Sequence, residues 1–224
     1  MTLKLYFHPL SSFCMKVLAA LYENDTPFEP AIVDLGDEAS RAAFLKVWPI
    51  GKFPVLRDEA RERTVPESSI IIEYLAKHYP GKSKLVPADE DLARQTRLSD
   101  RFFDLYVHVP MQRIVAERLR PAGKGDPFGV DQAKTLLQTA LGMVDRDMAA
   151  KTWAMGDAFT MADCAAAPAM FYADQVMPFA NSHKNAAAYL NRLKERPSFA
   201  RALKEAQPYW HMFPKEQADT VASV

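Results

Sequence analysis

Leu3-Lys4-Leu5-Tyr6-Phe7-His8-Pro9-Leu10-Ser11-Ser12-Phe13-Cys14 runs from a short apolar stretch through a proline turn into two hydroxyls and a thiol. Val17, Leu18, Leu21 and Tyr22 then recur at helical spacing, so the segment reads as strand (3–7), turn and helix (13–23). Such a turn delivers its hydroxyls and thiol to a helix start, where unpaired backbone N–H groups and the positive dipole end favour an anion. The anion expected here is a thiolate. Serines at such turns also act simply as helix caps, so the segment needs a second site to complete it.

Outward from this segment, the first eighty residues continue the alternation of strand-like and helix-like runs. Residues 28–34 read as strand, and 38–47 as a helix ended by Trp48-Pro49, since the residue before proline is pushed out of the α region. Strands at 53–57 and 63–65 follow, joined by the charged, glycine-free stretch 58–62, which calls for a looser loop than a two-residue hairpin. A helix at 68–79 completes the order βαβαββα. Pro80-Gly81-Lys82-Ser83-Lys84 and Pro87-Ala88-Asp89 are rich in breakers, and no strand-like alternation lies beyond them. The chain therefore divides into 1–80, a linker at 81–90, and an all-helical region at 91–224, an α/β plus all-α organisation.

In the second region, 91–119 carries Leu98, Phe102, Leu105, Tyr106, Val109 and Ile114 at spacings that predict a long helix buried along that side and kinked at Pro110. A loop at 121–126 precedes a second helix at 127–150, and further helices are predicted at 184–196 and 197–206. Thr160-Met161-Ala162-Asp163 fits a capping box, with Phe159 placed to staple against Cys164. That gives Cys164 a structural role.

The bulk properties narrow the function. Lys and Arg total 28 against 28 Asp and Glu, so no charge imbalance draws the molecule to nucleic acid or an anionic membrane. Cys14 and Cys164 are too few for a disulfide framework and point to the cytoplasm. The longest apolar stretch, 164–173, is interrupted by Pro168, so no membrane span is expected. His8, His78, His108, His183 and His211 show no metal-ligand spacing, and no metal is expected. Gly81-Lys82-Ser83 imitates the end of a phosphate loop, but position 76 is Ala and a helix precedes it, so it reads as linker.

Three motifs fall in order within the βαβαββα unit: Ser11-Ser12-Phe13-Cys14 after the first strand, Phe53-Pro54-Val55 opening the third, and Glu67-Ser68 before the last helix. With Thr160-x-x-Asp163 after Gly156-Asp157, they give nearly the whole chain a resemblance to the glutathione S-transferases, on the serine-type, theta- and beta-like bacterial side. The resemblance implies a thioredoxin-like unit followed by a helical bundle, glutathione as co-substrate, a homodimer and a role in detoxification. Family members hold the proline at Pro54 cis, so Phe53 would pair its backbone with glutathione. Lys52, Glu67 and Ser68 would join it: at Ser68, a hydroxyl and free N–H groups suit the γ-glutamyl carboxylate, while Glu67 can meet the amino group. Asp100 and Asp104 are implied contacts to that amino group across a dimer interface, and Leu10, Phe13, Tyr106, His108 and Met111 an implied pocket for a hydrophobic electrophile.

The chemistry asks how a thiol with an ordinary pKa of about 8.5 is held as thiolate near neutrality, at roughly 1.4 kcal/mol per pKa unit. One hydroxyl donating to the charged sulfur contributes roughly 1.5 to 3 kcal/mol, enough for one to two units without a base. Ser11, Ser12, Tyr6 and Cys14 compete for that role. Serine-type members place the hydroxyl at the first serine, so Ser11 is the expected donor, Ser12 the helix cap, Cys14 a small buried residue and Tyr6 a packed strand aromatic. Ser11→Ala should then lower turnover far more than Tyr6→Phe. The alternatives are a thiol/disulfide oxidoreductase working through Cys14, although Ser11 stands where a Cys-x-x-Cys would put its exposed nucleophile, and a non-catalytic glutathione-binding module.

Overall fold

The computed structural model describes residues 2–214, so the last part of the expected helical region, 215–224, lies outside the described residues. Among the described residues the strands form one mixed sheet in the order β2-β1-β3-β4. β1 (Leu3–Phe7) runs parallel to β2 (Glu29–Ile32) and antiparallel to β3 (Val55–Asp58), which pairs antiparallel with β4 (Arg63–Pro66). Strand alternation sorts the two faces. Leu3, Leu5 and Phe7 enter the main core with Val17, Leu18 and Leu21 of α1 (Ser12–Glu23) and Ile71 and Ile72 of α3 (Ser68–His78). Tyr6 points the other way, its ring centroid 6.0 Å from that of Phe44 on α2 (Glu38–Val47).

Two strands are shorter than predicted. β2 ends at Ile32, although the Val33 N–H still donates to the Phe7 carbonyl at 2.9 Å. β3 starts only at Val55, because Pro54 has no N–H to give a ladder. The charged turn after β3 spans residues 59–62, with Glu62 at φ 52.

The regular elements described in the second region are all helical: α4 (Glu90–Phe102), a π-helical turn (Phe103–His108), α5 (Val109–Glu117), α6 (Pro127–Asp147), α7 (Met161–Val176), α8 (Lys184–Glu195), α9 (Pro197–Ala206) and a 3-10 turn (Gln207–Met212). The single long helix predicted at 91–119 is thus corrected. Pro110 cannot donate to the Tyr106 carbonyl, and the ladder readjusts before it to bonds five residues apart, such as Val109 N–H to the Asp104 carbonyl. Which side of this helix is buried is also corrected. Of the predicted side, Ile114 is buried, but Leu98, Leu105, Tyr106 and Val109 are exposed, while Phe103, Asp104, Val107, His108 and Met111 face inward.

The reason lies in α1. Lys16 is buried there, and its Nζ forms ion pairs at 2.7 Å with Asp100 and 2.8 Å with Asp104. Two buried carboxylates and their lysine set the inward face, overriding the apolar stripe. Further on, the capping box forms as predicted: the Thr160 hydroxyl accepts from Ala162 N–H, and Asp163 accepts from Thr160 N–H at 2.9 Å. Glu23 of α1 also accepts from Arg196 at 2.6 Å and from the Ser198 hydroxyl at 2.9 Å, tying α1 to the start of α9.

Candidate functional site

Two hollows adjoin at the start of α1. The smaller, about 250 Å³, is lined by Phe13, Trp48, Lys52, Phe53, Pro54, Glu67, Ser68, Arg101, Asp104, Leu105 and Val109. The larger, about 500 Å³, is lined by Leu10, Ser11, Ser12, Phe13, Lys52, Phe53, His108, Met111 and Tyr172, with Val115, Leu119, Met212, Phe213 and Pro214 adding mainly apolar wall. Phe13, Lys52 and Phe53 belong to both, so the hollows are continuous.

The smaller hollow presents unpaired backbone and a helix start. The Phe53-Pro54 bond is cis, and the ladder register stops at Val55, which leaves the Lys52 and Phe53 backbone outside it. Glu67 holds φ 70, in the left-handed region that costs a non-glycine residue about 1 kcal/mol or more. It precedes α3 without capping it by its side chain, so the first N–H groups of α3, beginning at Ser68, have no side-chain cap from it, an arrangement that suits an anion.

At the junction the capping role predicted for Ser12 falls to Ser11. Ser11 is the N-cap of α1, at φ −76 and ψ 124, and its hydroxyl oxygen accepts from Cys14 N–H at 3.4 Å; Ser12 is the first helical residue. The expectation that Ser12 caps the helix is therefore corrected, because the proline turn extends one residue less than supposed: Ser11 N–H closes it on the His8 carbonyl at 3.0 Å. Capping occupies a lone pair of Ser11 and leaves its hydrogen to give. Ser12 Oγ instead hydrogen-bonds His108 Nε2.

Cys14 is fully buried, and burial pushes its thiol up to about 12, with weaker opposing pulls from Ser11 and the His8 backbone. It behaves as a small apolar residue. Tyr6 lines neither hollow. His108 is buried against Phe13, ring centroids 4.1 Å apart, and burial, reinforced by Lys16, lowers its pKa to about 4.

Asp104 does line the smaller hollow, but it and Asp100 are engaged by Lys16 within the same chain, and burial raises the Asp104 pKa against the pull of Lys16. Within this chain, then, Lys16 is the partner the structure gives the two carboxylates, and Asp104 also faces the smaller hollow. Tyr106 is corrected as well: it lies exposed against Phe102, ring centroids 5.6 Å apart, and lines neither hollow. Leu10, Phe13, His108 and Met111 all line the larger one.

Sequence reasoning missed Trp48 and Arg101 in the smaller hollow and, in the larger, Tyr172 and the segment Met212-Phe213-Pro214. Tyr172 reaches the site by donating to the Leu10 carbonyl at 2.5 Å, and its ring stacks on Phe213 at 5.5 Å. The aromatic run Tyr209-Trp210-His211-Met212-Phe213 was the available signal. No group of three or more His, Cys, Asp or Glu residues that could hold a metal occurs among the described residues. None of the described helices is long and apolar enough to cross a membrane.

The family model for the glutathione S-transferase N-terminal domain matches residues 5–83, and that for the C-terminal domain matches residues 127–192. The chain belongs to the glutathione S-transferase family. It is 28% identical over 171 residues to glutathione S-transferase hmp2 of Hypomyces subiculosus, covering 73% of this chain and 78% of that one. With GstB of Escherichia coli K12 it shares 24% identity over 184 residues, 82% of this chain and 88% of that one. Among solved structures, a glutathione S-transferase of Methylobacterium radiotolerans in complex with glutathione sulfonate matches with a TM-score of 0.78 and 26% identity over 100% of both chains. One from Methylobacillus flagellatus with glutathione bound has a TM-score of 0.81 at 24% identity, covering 89% of this chain and 98% of that one, a likeness of fold.

Proposed function

We propose that this glutathione S-transferase family member joins glutathione to a hydrophobic electrophile by attack of the glutathione thiolate. The observation that carries the reading is the continuity of a peptide-binding hollow with a larger apolar one at the α1 N-terminus, where Ser11 keeps a hydrogen to donate. Glutathione lies along Lys52, Phe53 and Pro54, with its γ-glutamyl end at Glu67 and Ser68 and its sulfur at Ser11. The related Methylobacterium protein, crystallised with glutathione sulfonate, supports a glutathione ligand for this fold. Ser11 stabilises the sulfur anion by donation, aided by the α1 dipole, and no base is needed. Proximity to an electrophile in the larger hollow supplies the remainder of the rate.

The domain at 1–80 then carries most of the glutathione site, the helical domain that follows the linker at 81–90 joins the α1 turn in walling the electrophile, and the two meet at the hollows. The exposed Leu98, Leu105, Tyr106 and Val109, with Ile70 of α3, supply an apolar face for a second copy of the chain, in the cytoplasm, with detoxification as the role. Disulfide exchange through Cys14 is disfavoured, because its thiol is buried and held protonated. Conjugation of glutathione to an aryl halide tests the reading. The wild-type protein should turn over, and Ser11→Ala should lower kcat/KM by about 10- to 100-fold, the worth of one hydrogen bond to a charged group. Retention on immobilised glutathione without conjugation would favour the binding-module alternative.

A further inference from the structure

We propose that His108 is a positioning residue for the larger hollow: it accepts no proton from Ser12 but donates to it, which turns the Ser12 hydrogen toward the bound electrophile as a second donor beside Ser11. The inference rests on the transferase reading above.

It follows from the hydrogen count. His108 is 3% exposed, Nε2 bonds the Ser12 hydroxyl oxygen, and Nδ1 is buried without a partner among the described residues. A neutral imidazole carries its hydrogen on one nitrogen only. Placing it on Nδ1 would bury an unpaired donor, whereas placing it on Nε2 leaves Nδ1 as an unpaired lone pair, the commoner and cheaper deficit. A doubly protonated ring would bury both that donor and a charge, near Lys16. The remaining arrangement is Nε2–H donating to Ser12 Oγ.

Ser12 then receives on a lone pair, and its own hydrogen has to point elsewhere. Ser12 lines the larger hollow, and among the described residues its hydroxyl has no other partner. A hydroxyl that accepts one hydrogen bond is a better donor of the next. The two serines thus divide the work: Ser11 meets the sulfur, and Ser12 meets an acceptor atom on the electrophile.

The electrophile class that profits is one whose acceptor oxygen gains charge as sulfur attacks, such as an α,β-unsaturated ketone. The S–C bond forms at the β carbon, the C=C pair shifts to join the α carbon to the carbonyl carbon, and the C=O pair moves onto oxygen to give an enolate. Ser12 donates a hydrogen bond to that oxygen and keeps its proton. The α carbon then takes a proton from solvent, balancing the one glutathione released on ionising.

The test compares an unsaturated ketone with benzyl chloride, which has no such oxygen, using Ser12→Ala, His108→Phe and His108→Gln. Ser12→Ala and His108→Phe should each lower kcat for the ketone by about tenfold more than kcat for benzyl chloride, which reads any general disturbance of the hollow, and leave KM for glutathione unchanged. His108→Gln, which keeps a donor near the Nε2 position, should restore most of the ketone rate. Equal losses on both electrophiles, no loss, or a Gln variant as poor as the Phe variant would overturn the proposal and leave the transferase reading intact. A wild-type protein inactive on both electrophiles would overturn both.

Discussion

The two hollows share Phe13, Lys52 and Phe53 but are built in opposite ways. The smaller takes nearly half its lining from two short contiguous motifs, Lys52-Phe53-Pro54 and Glu67-Ser68, which offer backbone and helix-start groups, and closes against Phe13, Trp48, Arg101, Asp104, Leu105 and Val109. The larger is walled by side chains from the α1 turn, the π-helical turn, α5, α7 and the segment after α9. A backbone site needs a local conformation, which a few adjacent residues can impose. A side-chain wall needs several helices to arrive in register, which only the packed core imposes. The contrast can be attacked experimentally.

The largest expected effect removes what both hollows stand on. Lys16→Met keeps the stem's bulk but leaves Asp100 and Asp104 buried without their lysine, and should cost about 3 kcal/mol of unfolding free energy, read by denaturant titration. Arg101, paired with both carboxylates, limits the loss. Glutathione affinity and electrophile turnover should fall together; loss of one alone would show that the hollows do not share a floor.

A second effect belongs to the larger hollow. His108 is lowered to about 4 from an ordinary 6.5 in the folded protein, so between these values the unfolded chain binds the extra proton. Its contribution to stability is complete above about pH 6.5 and is lost as pH falls toward 4, up to about 3 kcal/mol. His108→Gln should flatten that part of the stability–pH curve; an unchanged slope would refute a buried neutral His108.

The smallest effects separate the hollows. Ser68→Ala should raise KM for glutathione several-fold with KM for the electrophile unchanged, and Phe213→Ala should do the reverse. If either variant moves both constants equally, the division between the hollows fails.

What could be read from the residues follows the same divide. The element order of the first eighty residues was legible because strand-like and helix-like runs alternate along it, and the Thr160–Asp163 box because its four residues are adjacent. The buried side of 91–119 was not, since the apolar stripe Leu98, Leu105, Tyr106 and Val109 is outvoted by Asp100 and Asp104 turning in to Lys16, whose partners lie far off in sequence. Tyr106 was misplaced for the same reason. Pro110 announced a disturbance but not that the turn before it would widen. The serine roles hinged on one residue of turn length, and the contributions of Tyr172 and Phe213 came from the other end of the chain.

The central claim is that Ser11 donates to the glutathione sulfur. It is tested most directly by titrating the ultraviolet absorbance of the thiolate in the glutathione complex of the wild type, Ser11→Ala and Tyr6→Phe. The account predicts a bound thiol ionising below its value in free solution, returned upward by about one to two pH units in Ser11→Ala and unmoved in Tyr6→Phe. A thiol whose ionisation is unchanged in Ser11→Ala, or shifted only in Tyr6→Phe, would contradict it.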